Sequence, residues 1–169
     1  MAIRIAFAAR EEIPDIAALI LAAWRSAYRD ILPADYLASL SLEERCAGYG
    51  KLFDAGHTRF LTLHDGGELI GASVLGRSTT QGYPDDGEVS AIYLREDRIG
   101  KGYGHALFEK AEQTLAEMGY TDFILDVFTQ NARAIRFYEA HGYEKIEERN
   151  MTIDGIDYPP YAVFRKVRK

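Results

Sequence analysis

The chain predicts one α/β domain, with antiparallel strands early and strand–helix–strand crossovers later. Three observations carry that expectation. Asp65-Gly66-Gly67 stands between two strand-like runs, Arg59 to Leu63 and Leu69 to Leu75, and marks a hairpin. After residue 87, strand-like and helical runs alternate, which is the pattern of crossover connections. The chain has 169 residues, 47% hydrophobic and 27% charged, enough for one domain with a sizeable core. No repeat, low-complexity tract or long linker divides it.

Ile3-Arg4-Ile5-Ala6-Phe7 alternates as a first strand. Glu11-Glu12 opens a helix whose buried stripe is Ile13, Ile16, Ala17, Ile20 and Leu21, with Trp24 and Tyr28 on related faces. Asp30-Ile31-Leu32-Pro33 breaks it, and a short helix covers Ala34 to Ser39. Ser41 and Glu44 form a capping box for a helix to about Asp54, weakened in its middle by Gly48 and Gly50. The hairpin follows, then a polar loop over Ser78 to Gly87 and a strand over Glu88 to Leu94.

A helix from Tyr103 to about Met118 presents Leu107, Ala111, Leu115 and Met118 on one face, and Gly119 stops it. Asp122 to Phe128 is a short, mostly apolar strand, with Ile124, Leu125, Val127 and Phe128 consistent with burial from both sides. Asn131 begins a helix through His141, ended by Gly142. Tyr143 to Glu147 and Tyr161 to Val167 are the last strands, with a surface turn over Ile153-Asp154-Gly155-Ile156-Asp157. Tyr158, Pro159, Pro160 and Tyr161 read as a rigid aromatic rim or as turn packing.

Composition narrows the function classes. No apolar segment has the length of a bilayer span, and the N-terminus lacks a secretory pattern, so cytoplasmic residence is the default expectation. Cys46 is the single cysteine and reads as a packing residue. A net charge of −6 without a basic block argues against a nucleic-acid partner and leans toward a cationic one. His57, His64, His105 and His141 are scattered, so no metal site is expected.

Ile99-Gly100-Lys101-Gly102-Tyr103-Gly104-His105 joins the strand over Glu88 to Leu94 to the helix from Tyr103. Glycines at alternate positions let several backbone N–H groups converge on a phosphate. The helix N-terminus adds a favourable dipole, and Lys101 a positive charge at the rim. A lone glycine turn is a weak signal. This one is followed about 27 residues later by Asn131-Ala132-Arg133-Ala134-Ile135-Arg136-Phe137-Tyr138-Glu139-Ala140-His141-Gly142-Tyr143.

Together with Glu88-Val89-Ser90-Ala91-Ile92-Tyr93-Leu94, these segments resemble the GNAT (Gcn5-related N-acetyltransferase) superfamily, and element order over the whole length fits it. The resemblance implies a single-domain acyl-CoA N-acyltransferase fold, a mixed central sheet with antiparallel N-terminal strands flanked by helices. It implies acetyl-CoA as cosubstrate, no metal, and direct attack by a primary amine in a ternary complex. Residues 99–105 then hold the pyrophosphate. Ile92, Tyr93 and Leu94 offer backbone groups to the pantetheine arm, and Asn131, Ala134 and Phe137 lie on the second cofactor-contacting helix. Two departures stand out: Ile99 occupies a position where the family usually has Arg or Gln, with Arg98 one place too early, and Glu96 falls near the family's frequent Pro.

By the same resemblance Tyr138 is the general acid for the leaving thiolate; a phenol near 10 and a thiol near 8.5 make the transfer feasible. Periodicity alone offers a packed core Tyr instead. Glu88 matches the family's acidic residue near the acceptor, as general base, water orienter or ammonium anchor; the other reading is a solvated edge with Asp85 and Asp86. Asn131 also reads as an N-cap, and His105 as phosphate contact or solvent-facing side chain. Trp24 and Tyr28 share a face that is either an acceptor wall or a core stripe, with Tyr83 and Pro84 covering the opposite side.

The acceptor expected is an amine on a small molecule or peptide, with no nucleic acid and no membrane. Homodimerisation through Tyr158 to Val167 is a further family expectation. A non-catalytic acyl-CoA-binding module is the competing class.

Overall fold

The computed structural model describes residues 3–153 and 155–167; Met1, Ala2 and Asp154 of the expected turn lie outside them. In chain order the elements are β1 (Ile3–Phe7), α1 (Ile13–Ala27), α2 (Ala34–Ser39), α3 (Leu42–Ala55), β2 (Thr58–Asp65), β3 (Glu68–Arg77) and β4 (Gly87–Leu94). Then come α4 (Tyr103–Glu117), β5 (Phe123–Phe128), α5 (Ala132–Ala140), β6 (Tyr143–Ile153) and β7 (Ile156–Lys166). The strands make one mixed sheet in the order β1-β2-β3-β4-β5-β7-β6. Only the β4–β5 pair, joined through α4, is parallel.

Local chemistry accounts for the element ends. Gly66 and Gly67 both hold positive φ, 59° and 89°, as a two-residue turn between Asp65 and Glu68 requires. The Ser41 hydroxyl accepts from the Glu44 N–H at 3.2 Å and caps α3. Arg25 donates to the carbonyls of Leu37 (3.3 Å) and Leu40 (3.0 Å), so the end of α1 ties down the end of α2.

Helices cover both faces of the sheet. On one, Leu107, Phe108, Ala111 and Leu115 of α4 pack on Leu61, Leu63, Ile70, Leu75, Val89 and Leu125, with Phe137 and Tyr138 of α5 against the same cluster. On the other, Ile13, Ile16 and Ile20 of α1 pack on Phe60, Ala72, Val74 and Ala91. Neighbours such as Phe60 and Leu61 therefore enter opposite cores, as strand alternation dictates. Each fully buried Leu or Ile contributes about 1.5–3 kcal/mol.

The last hairpin departs from the sequence expectation. β6 and β7 run eleven residues each, and Tyr158, Pro159, Pro160 and Tyr161 lie inside β7 rather than in a surface turn. The register slips between Arg149, opposite Tyr161, and Met151, opposite Tyr158. The two prolines, which have no N–H, occupy that irregularity. β7 is also bonded on both sides, to β5 and β6, so the sheet's free edge here belongs to β6 rather than to the segment expected at a dimer interface.

Two glycines test the packing. An added Cβ at Gly48, in exposed α3, meets nothing within 4 Å, whereas at Gly76 it would overlap the His57 carbonyl oxygen, a backbone atom. Gly48→Ala should stabilise by about 0.5–1 kcal/mol. Gly76→Ala should destabilise by about 1–3 kcal/mol. Urea unfolding midpoints check both signs.

Candidate active site

The sheet opens at its centre. β4 and β5 are paired only at Gly87–Phe123 and Glu88–Ile124. Beyond that point β4 stays with β3 up to Leu94–Gly71, and β5 stays with β7 up to Phe128–Tyr161. A register shift against Val74 and Leu75 leaves Ser90 as an extra residue in β4, a bulge that bends the strand just past the last shared pair. Ser90 Oγ donates to the Val74 carbonyl (3.1 Å) and Ser73 Oγ to the Ala91 carbonyl (2.8 Å), pinning the bend. The wedge so formed has half-buried Ile92, Tyr93 and Leu94 on its β4 wall, with a main-chain edge that no strand covers.

Past β4 the chain makes a short 3-10 turn, Glu96–Arg98, and reaches the glycines. Gly100 and Gly102 have φ of 83° and 86°, and neither would crowd a neighbour with a Cβ. Backbone conformation, not space, requires glycine at these two positions. Gly102 is the N-cap of α4, whose first-turn N–H groups lack intrahelical partners. Lys101 is exposed beside them, Ile99 is 40% exposed, and Tyr103 is half-buried.

Arg98 does not substitute for the missing basic residue. It is bound to Asp65 at 2.7 Å and Glu68 at 3.3 Å, on the β2–β3 turn. A Cβ on Gly104 would touch Phe137 at 3.5 Å and Leu94 at 3.7 Å, so α4, α5 and β4 meet there. His105 is exposed but not free: its Nδ1 shares a 2.8 Å hydrogen bond with His141 Nε2, and its ring lies 4.8 Å from that of Phe137. Burial, then His105, lowers the His141 pKa. Asn131 caps α5, its Oδ1 accepting from the Ala134 N–H at 3.3 Å.

These features fit an acyl-CoA. An extended arm bearing amides suits the uncovered edge of β4, and a diphosphate suits the amide-lined turn.

Tyrosines gather beside the wedge. Tyr28 of α1 is buried, and its hydroxyl lies 2.7 Å from that of Tyr93. Tyr138, on α5, packs on Phe108 and Phe137 with ring centroids 5.6 Å away in each case. Its hydroxyl couples electrostatically to those of Tyr28 and Tyr93. Burial raises its pKa well above that of a free phenol. Trp24 is packed: it meets Tyr28 edge-on at 4.9 Å and carries the Arg45 guanidinium over its face.

On the helix-poor side of β5 and β7 lies a groove of about 800 Å³, lined by Thr79, Thr80, Gln81, Gly82, Asp126, Arg149, Asn150 and Tyr161. Glu88 stands behind that wall, only 5% exposed. Its Oε1 accepts from Ser78 Oγ (3.0 Å), the Thr79 N–H (3.2 Å) and Thr80 Oγ1 (2.9 Å). The solvated-edge reading of Glu88 therefore fails, because the Ser78–Thr80 segment folds back over it. Asp86 is likewise drawn in, paired with Arg165 at 2.8 Å. Tyr83 donates to Glu147 and lies between the guanidiniums of Arg149 and Arg165.

Sequence reasoning passed over Asp126. Its only signal was a single charge in Phe-Ile-Leu-Asp-Val-Phe. The hydroxyls of Ser78 and Thr80 left no signal at all.

Comparisons with known proteins agree with this geometry. The profile of the Acetyltransferase (GNAT) family matches residues 17–143. A protein of Bacillus subtilis (strain 168) named uncharacterized N-acetyltransferase YuaI is 35% identical over 153 residues, covering 86% of this chain and 83% of that one. The probable N-acetyltransferase Rv2775 of Mycobacterium tuberculosis is 28% identical, with 96% and 94% covered. Among solved structures, the PaiA N-acetyltransferase of Thermoplasma acidophilum in complex with coenzyme A superposes with a TM-score of 0.77 at 22% identity, over 98% of this chain and 99% of that one, a likeness of fold. An opened sheet, an amide-lined turn and these matches lead to one conclusion: the chain belongs to the Acetyltransferase (GNAT) family and is an acyl-CoA-dependent N-acetyltransferase.

Proposed function

We propose that the enzyme transfers an acetyl group from acetyl-CoA to a primary amine by direct attack in a ternary complex, with Tyr138 as general acid. The observation that carries this reading is the opened sheet, which has Tyr138 coupled to Tyr93 of its β4 wall and, on β5, Asp126 facing a groove. The thioester supplies an activated acyl group when bound. The protein's part is orientation, exclusion of water and proton placement.

Tyr138 suits the leaving-group side. With its pKa raised, the phenol stays protonated through neutral pH and donates a hydrogen bond to sulfur as negative charge develops there. Cys46 lies on α3, which packs against α1 and β2, so no thiol stands ready for a covalent relay at the wedge. On the acceptor side, Glu88 and Asp126 favour an ammonium group, while Arg149 is already committed to Glu147 and to the Gln81 carbonyl. A cationic small molecule or a peptide amine is the class of acceptor these charges support, with Tyr28, Tyr83 and Trp24 contributing to the surroundings of its path.

Tyr138→Phe should lower kcat by about 100-fold, the lower end of general acid contributions, with CoA affinity within about twofold of wild type. Stopped-assay kinetics and calorimetry read the two quantities; unchanged kcat removes Tyr138 from the role. Gly102→Val places a β-branched residue at φ 86° and should weaken acetyl-CoA binding by about tenfold or more in a protein with an unaltered circular dichroism spectrum. Screening peptide, polyamine and amino-sugar amines by thiol release tests the acceptor class. Tight CoA binding with no transfer to any of them favours the binding-module reading instead.

A further inference from the structure

One hydroxyl stands between two carboxylates at the groove wall. Thr80 Oγ1 is 2.9 Å from Glu88 Oε1 and 3.0 Å from Asp126 Oδ2. A hydroxyl owns a single proton, so it serves one of the two carboxylates at a time. Glu88 Oε1 already gathers the Ser78 hydroxyl and the Thr79 N–H, an array that suits an ionised carboxylate. With Glu88 Oε1 served by those two donors, the Thr80 proton is available to Asp126 Oδ2, where it supports the ionised, proton-accepting form and links the two carboxylates.

Taking the direct-attack reading above as its basis, we propose that Asp126 is the general base that removes the acceptor's proton, and that Glu88, acting through Thr80, positions and tunes it. Access separates the two carboxylates: Asp126 lines the groove, and Glu88 lies buried behind it. In the step itself, an N–H bond of the acceptor ammonium breaks, its electron pair stays on nitrogen, and the proton passes to Asp126. The proton then leaves to solvent through the open groove.

The surroundings match that task. Asp126 is exposed to the groove, and the protein packed around its carboxyl, followed by the Glu88 charge, raises it to about 6. Glu147 of β6 raises it further, while the Thr80 hydroxyl and Arg149 of β6 lower it, and Tyr161 of β7 lines the same groove. A base poised near neutral pH is what proton removal from an amine asks for.

Carboxyl ¹³C NMR of the free, aspartate-labelled protein tests the pair without any ligand. The signal lost in Asp126→Asn should titrate near pH 6 and should move to lower pH in Glu88→Gln. An ordinary carboxylate midpoint, or one indifferent to Glu88→Gln, overturns the proposal. In turnover of the amine found by the screen, wild-type kcat/KM should rise with pH through the same midpoint. Asp126→Asn should lose that limb and about 100-fold in kcat/KM at pH 7, with CoA affinity unchanged. A limb retained in Asp126→Asn and abolished in Glu88→Gln makes Glu88 the base. The direct-attack reading fails separately, on parallel-line initial-rate plots, which move neither midpoint.

Discussion

Two residue pairs hold β4 to β5, and everything at the site depends on the pairing ending there. A sheet normally leaves no open main-chain edge inside itself, because unpaired N–H and C=O groups are costly once removed from water. Here the opening is built in. The bulge at Ser90 bends β4, β3 retains it through the Ser73 and Ser90 side chains, and β7 keeps β5 on its own course. The apex has room only for glycine, since a Cβ on Gly87 would meet Tyr120 at 3.0 Å and Leu115 at 3.1 Å. An extended ligand with its own amides is therefore the natural partner for the uncovered edge.

The glycine turn extends the same logic to charge. Left-handed φ at Gly100 and Gly102 brings the chain from β4 into α4 with its first N–H groups unpaired. Because Arg98 is committed to Asp65 and Glu68, the groups this turn offers to an anion are its backbone amides and exposed Lys101. The ion pair has its own structural use: Asp65 is buried, and a lone carboxylate there would be costly.

Most of the architecture was legible in the chain because its signals are local. Alternation in β1, the Gly66-Gly67 turn, the α1 stripe and the Ser41 cap all act within a few residues. The site was legible in part. The turn and α5 carry their chemistry in contiguous segments, and Arg98 could be seen to sit one place from the expected position. Glu88 could not be placed, since Asp85 and Asp86 beside it suggest solvent, while its burial comes from Ser78, Thr79 and Thr80 eight to ten residues away folding back. The extent of β6 and β7 was hidden for a similar reason: Pro159-Pro160 signals a turn locally, and only the register slip against β6 shows how a strand accommodates it.

Loss of hydration acts on Tyr138 and Asp126 in the same direction, with opposite chemical results. It disfavours the charged form of each and raises both pKa values. A phenol moved upward is held as a proton donor over the whole neutral range. A carboxyl moved to about 6 is brought from a group too weakly basic to be useful into one that exchanges protons near neutrality. The difference lies in where each starts, near 10 or near 4, and in the neighbours that limit the shift. Tyr138 lies in an apolar cluster with another phenol coupled to it, whereas Thr80 and Arg149 hold Asp126 back from a larger rise. Desolvation, joined at Asp126 by the Glu88 charge, thus suits Tyr138 to give a proton and Asp126 to take one.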